Sequence, residues 1–179
     1  MDGGSSGPGG CLQVSFETAD RSFVQISPDE PSRYVARYTG TYSDGTAGLR
    51  RNVRVVIVDD DPFFRSLLKV MLAQAGLQDA EVQEAEDSDR AFGICKGNPV
   101  DLVFCDLNLP AFRSMNGLEI IRELRQSSPN VPLYMVTADN TQDLIDKVRS
   151  VGATGHILKP ISLRTLKRVL SLTFGPRPN

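Results

Sequence analysis

Apolar residues follow two rhythms along this chain, and the rhythm changes near Asn52. Before that point three short runs read as strands: Leu12 to Phe16, Ser22 to Ile26 and Tyr34 to Tyr42. Turn-forming residues separate them, namely Asp20, then Ser27 to Pro31, then Ser43-Asp44-Gly45. Three strands without a helix form a thin layer that needs something to pack on. They would extend the following unit, form a dimer contact, or belong to an upstream domain.

After Asn52 strands alternate with helices. Val53 to Val58 is an unbroken β-branched run that stops at Asp59, as expected of a strand buried on both faces of a parallel sheet. From Pro62 to Ala75 the helical period puts Phe64, Leu67, Leu68, Met71, Leu72 and Ala75 on one stripe, with Pro62 suited to the first turn and Gly76 to the stop. The alternation continues with strand Ala80 to Ala85, helix Ser88 to Lys96, strand Leu102 to Cys105 and helix Gly117 to Gln126. Strand Val131 to Val136, helix Thr141 to Val151, strand Gly155 to Leu158 and helix Ser162 to Leu172 complete it. Repeated strand–helix units predict an α/β, doubly wound, five-stranded parallel sheet with helices on both faces. The expected division is a flexible leader over 1–10, a β-rich extension over 11–50, the α/β domain over 52–174 and a tail over 175–179.

Composition narrows the classes. The chain has 179 residues, 40% of them hydrophobic, enough for a core, and a formal net charge of -2. No basic field runs through it, so nucleic acid is not an expected partner. Its three cysteines, Cys11, Cys95 and Cys105, lack metal-ligand spacing and read as reduced thiols of a cytoplasmic protein. With a single histidine, His156, a histidine-based metal site or a Ser-His-Asp triad has little material. No apolar run reaches membrane-spanning length, and Met1 to Gly10 has neither the basic nor the apolar part of a signal peptide.

The chemistry-bearing residues stand where strands end. Asp59-Asp60 closes the first strand of the α/β unit, Asp106 the third, Thr137 the fourth and Lys159 the fifth. Ligands of open parallel sheets bind at those carboxyl ends. In the flavodoxin-like order 2-1-3-4-5, the first and third strands are neighbours, so Asp59, Asp60 and Asp106 should converge. Two charges 4 Å apart repel by about 4 kcal/mol at an effective dielectric of ~20. A hard divalent cation is the natural counter-charge. A carboxylate nucleophile, a metal, an ammonium and a hydroxyl are the parts of phosphoryl transfer. An Asp that merely capped the next helix would not need a row of acids.

Five motifs in order carry a resemblance: Val58-Asp59-Asp60-Asp61-Pro62, Asp101 to Pro110, Met115-Asn116-Gly117, Val136-Thr137-Ala138, and Gly152-Ala153 with Leu158-Lys159-Pro160. Together they resemble the receiver domain of two-component response regulators, over about two-thirds of the chain. The resemblance implies that Asp106 is the phosphoacceptor. It implies Mg²⁺ or Mn²⁺ on Asp59, Asp60, Asp106 and the backbone carbonyl of Asn108. Thr137 and Ala138 would meet the phosphoryl group, Lys159 would pair with it or with Asp106, His156 would stand at the switch position, and Pro160 would follow a cis peptide bond. Asn108 and Asp139 would tune self-dephosphorylation. The implied donor is a histidine kinase or phosphotransfer protein. The implied output is a protein contact through the fourth helix, fifth strand and fifth helix of the unit, with a homodimer as one form. Such a domain is a switch, not an enzyme in the usual sense.

Two features depart from the family pattern. Six residues, Ala111 to Asn116, separate Pro110 from Gly117 where the family usually has three. His156 stands where Tyr or Phe is frequent, and an imidazole brings pH dependence. Three other functions compete. A phosphatase of the haloacid-dehalogenase type would want an acid where Asn108 stands. A flavodoxin-like FMN binder would want a phosphate cradle where Asp59-Asp60-Asp61 stands. A pseudo-receiver scaffold would not need the full acidic set.

Overall fold

Side chains alternate across the strands and divide the interior into two layers. Val55 and Ile57 face one layer, while Val56 and Val58 face the other. Phe104 and Tyr134 fall on the first side and Cys105 and Met135 on the second. The computed structural model describes residues 23–26, 53–97, 99–110 and 115–174. The elements are β1 Val24–Ile26, β2 Arg54–Val58, α1 Pro62–Gln74, β3 Glu81–Ala85, α2 Ser88–Gly97 and β4 Leu102–Asp106. They continue with α3 Gly117–Ser127, β5 Leu133–Thr137, α4 Gln142–Ser150, β6 Gly155–Leu158 and α5 Leu163–Phe174.

All the paired strands run parallel in the order β1-β6-β5-β4-β2-β3. The five expected strands are β2 to β6, and their order is the flavodoxin-like one. Leu68, Leu72, Leu166 and Val169 pack α1 and α5 on one face. Ala91, Ile120, Leu124, Leu144 and Val148 pack α2, α3 and α4 on the other.

Among the described residues the sheet has six strands, not the expected five. β1 adds to the β6 edge, with Gln25 beside His156 and Ile26 beside Ile157. Part of the N-terminal extension is therefore built into the α/β sheet, because an open β6 edge offers unpaired N–H and C=O groups to a nearby strand. The other runs read as strands, 12–16 and 34–42, lie outside the described residues, as do Cys11, the leader, the tail and loop residues 111–114.

Local signals explain the helix ends. The Asp61 side chain accepts from Phe63 N–H at 2.9 Å and caps α1, while Pro62 opens it. Gly76, at φ 109°, stops it. Asn116 and Glu119 form a reciprocal capping box on α3. The stripe on α1 is not evenly covered: Leu68 and Leu72 are buried, but Leu67 is 44% exposed and lines a groove beside Pro160 and Ile161.

Candidate functional site

β2 and β4 are hydrogen-bonded neighbours, with Val58 in register with Cys105. The residues that follow, Asp59 and Asp106, therefore reach the same carboxyl-end crevice, and both are buried. Lys159, just past β6, sends its Nζ between them. It donates to Asp59 Oδ2 at 2.9 Å and to Asp106 Oδ1 at 2.7 Å. The remaining oxygens also have donors: Asp59 Oδ1 accepts from Asp61 N–H at 2.9 Å, and Asp106 Oδ2 from Asn108 N–H at 2.8 Å. The Lys159–Pro160 peptide bond is cis.

The expected convergence of three acids is only partly realised. Asp60 is exposed, and no three Asp, Glu, His or Cys side chains gather into a metal-binding cluster among the described residues. Asp60 sits at a bend just past β2, where the chain leaves the sheet. The counter-charge within the described residues is the ammonium of Lys159. The donor set nevertheless suits Mg²⁺ or Mn²⁺. It is all hard oxygen, and Mg²⁺ is usually held by one or two carboxylates plus waters and phosphate. Asp59 and Asp106 supply that pair, with Asp60 on the solvent side.

Electrostatics follow from burial. Desolvation raises the pKa of Asp59 above 3.8, and the hydrogen bonds from Lys159 and Asp61 only partly offset it. Burial opposes the charge on Lys159, but hydrogen bonds to Asp106 and Asp59 outweigh it, and its pKa is raised above 10.5.

Thr137 ends β5 fully buried, and its Oγ1 accepts from Asp139 N–H at 3.1 Å. Ala138 and Asp139 are exposed, and Asp139 Oδ1 accepts from Thr141 N–H at 2.9 Å. Asn108 is exposed beside Asp106. His156 is fully buried, with Nε2 3.2 Å from the carbonyl oxygen of Asp139. That carbonyl can only accept, so Nε2 carries the proton. Nδ1 is then an acceptor without a partner among the described residues. Burial lowers the His156 pKa below 6.5.

Several residues at the site escaped the sequence reading. The Phe64 ring lies 4.0 Å from Lys159 Nζ. Arg65 donates to the carbonyl oxygen of Asp59 at 2.6 Å and to Glu84 at 3.2 Å, fixing the end of β2 from α1. Next to Lys159 lies a groove of about 400 Å³, lined by Phe64, Leu67, Met71, Ala138, Pro160 and Ile161 among others. Phe64 counted only as a core residue, since helical period tells which way a side chain faces and not which charge it meets. Gln25 and Asn140 gave no signal, because their contact at 3.1 Å joins positions far apart in sequence.

Comparison with known proteins identifies the family. Residues 55–171 match the model of the response regulator receiver domain family. The chemotaxis protein CheY-3 of Vibrio cholerae is 30% identical over 128 residues, covering 70% of this chain and 95% of that protein. The transcriptional regulatory protein AruR of Pseudomonas aeruginosa is 36% identical over 117 residues, 63% of this chain and 46% of that protein. The solved structure of V. cholerae CheY4 at low pH superposes with a TM-score of 0.62 at 28% identity, covering 69% of this chain and 100% of that one. Among the described residues, no helix is long and apolar enough to cross a membrane. On its matched residues, its relatives and its fold, the chain belongs to the response regulator receiver domain family of two-component signalling.

Proposed function

We propose that Asp106 accepts a phosphoryl group from a histidine kinase or histidine phosphotransfer protein, and that the modified domain changes its protein contacts. The observation that carries this reading is Lys159 Nζ held at 2.9 and 2.7 Å between Asp59 and Asp106, at the carboxyl ends of adjacent strands.

An oxygen of Asp106 attacks phosphorus. The P–N bond of the donor phosphohistidine breaks, and its electron pair leaves with the imidazole, which takes up a proton from solvent. The product is a carboxylic–phosphoric mixed anhydride. Lys159 stays beside it and offsets charge on the phosphoryl oxygens. Asp59, Asp60, Asp106 and the carbonyl of Asn108 would hold Mg²⁺ or Mn²⁺. The bound metal supplies further neutralisation of the phosphoryl oxygens. Thr137 and Ala138 line the approach to the modified group, and the Thr137 hydroxyl donates to it. Release is hydrolytic: water attacks phosphorus, the P–O bond to Asp106 breaks, and the carboxylate is restored. Asn108 and Asp139, both polar and exposed, would orient that water.

The domain is thus a switch whose only chemistry is its own modification and hydrolysis. Its output surface is the face built by α4, β6 and α5, and a cytoplasmic setting fits the cytoplasmic donor. Incubation with acetyl phosphate and Mg²⁺ tests the reading. Intact mass should rise by one phosphoryl group in the wild type and not in Asp106→Asn. A folded wild type that gains no adduct, and whose spectra do not respond to beryllofluoride, would refute it.

A further inference from the structure

We infer that the outer edge of β6, flanked by α4 and α5, is a docking site for a short parallel strand. Its occupant is this chain's own residues 23–26, and its occupancy follows the state of Asp106. The inference rests on the phosphoacceptor reading above and adds what that reading leaves open, the element that responds.

The fit is specific on both faces of the strand. Phe23 packs against the core layer that contains α4, and the Arg149 guanidinium of that helix lies 5.0 Å from its ring centroid. Ile26, on the opposite face, is 1% exposed within the layer that contains α5. Between them the backbone pairs with Gly155, His156 and Ile157. An edge strand takes an added strand through its backbone groups, and pockets for alternate side chains select which strand. Here the selected sequence has an aromatic residue first and a branched aliphatic residue fourth.

β1 is tied to the site by its one polar side chain. Gln25 Nε2 donates to Asn140 Oδ1 at 3.1 Å. Asn140 follows Asp139, whose N–H is held by Thr137 Oγ1 and whose carbonyl is held by His156 Nε2. His156 is the register partner of Gln25. The loop from Thr137 to Thr141 is therefore pinned at one end by the Thr137 hydroxyl and at the other by β1. When Thr137 turns its hydroxyl toward a phosphoryl oxygen on Asp106, Asp139 N–H loses its acceptor and the loop resettles. The Gln25–Asn140 bond is then lost. A three-residue strand with two anchors belongs to the weakly held part of a fold, so the loss of one bond shows in its opening.

Hydrogen exchange on the full chain, read by mass spectrometry, tests this with beryllofluoride plus Mg²⁺ against Mg²⁺ alone. Amides of residues 23–26 should exchange about two- to tenfold faster with beryllofluoride, the range that one net hydrogen bond sets. Asn140→Ala should show that faster exchange with Mg²⁺ alone. In Thr137→Ala, beryllofluoride should still slow exchange at Asn108 and Leu109 but leave residues 23–26 unchanged. Slowing at Asn108 and Leu109 in the wild type with no change or added protection at 23–26 overturns the inference alone. No response at either place overturns the phosphoacceptor reading, and the inference with it.

Discussion

Gly117 opens α3 directly against the backbone of Asp106. A Cβ at position 117 would collide with the Asp106 carbonyl oxygen and come within 2.8 Å of the Leu107 Cα. Both neighbours are backbone, so neither can swing aside. Gly117→Ala should cost about 1–3 kcal/mol, as overpacking of a close contact does. It should also shift the amide resonances of Asp106 to Asn108. Chemical denaturation with amide NMR checks both, and an alanine variant as stable as the wild type would contradict the close contact between Gly117 and the Asp106 backbone.

Lys159→Met removes the ammonium from between two buried carboxylates. Breaking a buried pair from one side costs about 3–5 kcal/mol, and Lys159 is partly open to solvent, so about 1–3 kcal/mol is expected here. The pH dependence has a definite sign. A carboxyl whose folded pKa is raised, as that of Asp59 is, contributes most below its ordinary value of 3.8 and loses that contribution as pH rises through its folded pKa. Removing Lys159 raises that pKa further. The stability difference between variant and wild type should therefore be small at pH 4 and grow toward pH 7. A difference that is flat or shrinks over that range would contradict the shared-ammonium geometry.

His156 gives a second window with the opposite direction. Its folded pKa lies below 6.5 because the ring is buried, with Asp139 the charged group beside it. A depressed pKa contributes stability above the unfolded value, lost as pH falls through the folded pKa. Thermal unfolding should therefore shift to lower temperature below about pH 6.5. His156→Phe keeps the aromatic volume and removes the titration, so its melting temperature should fall less over the same range. Equal slopes for both proteins would remove His156 from the pH response.

Much of this was legible in the sequence because the sheet is buried on both faces. Continuous apolar strands made the polar residue at each end conspicuous, which is how Asp59, Asp106, Thr137 and Lys159 stood out. The sixth strand was visible as the run from Ser22 to Ile26, but its partner was not, since pairing across the chain leaves no local pattern. Asp59 and Asp60 look alike in sequence, but Asp59 is buried at the sheet rim and Asp60 is exposed at the bend beyond it, a difference the strand pattern does not encode. Lys159 was expected beside the phosphoryl group or Asp106, and it does reach Asp106; its second contact, with Asp59, joins two strand ends and leaves no local pattern in the sequence.

The phosphoacceptor assignment itself can be read chemically. Borohydride reduces an aspartyl phosphate to homoserine, so treatment after incubation with acetyl phosphate and Mg²⁺, followed by peptide mapping, marks the modified residue. The account predicts homoserine at position 106 alone, and none in Asp106→Asn. Homoserine at position 59, 60 or 61, or labelling that survives in Asp106→Asn, would contradict it.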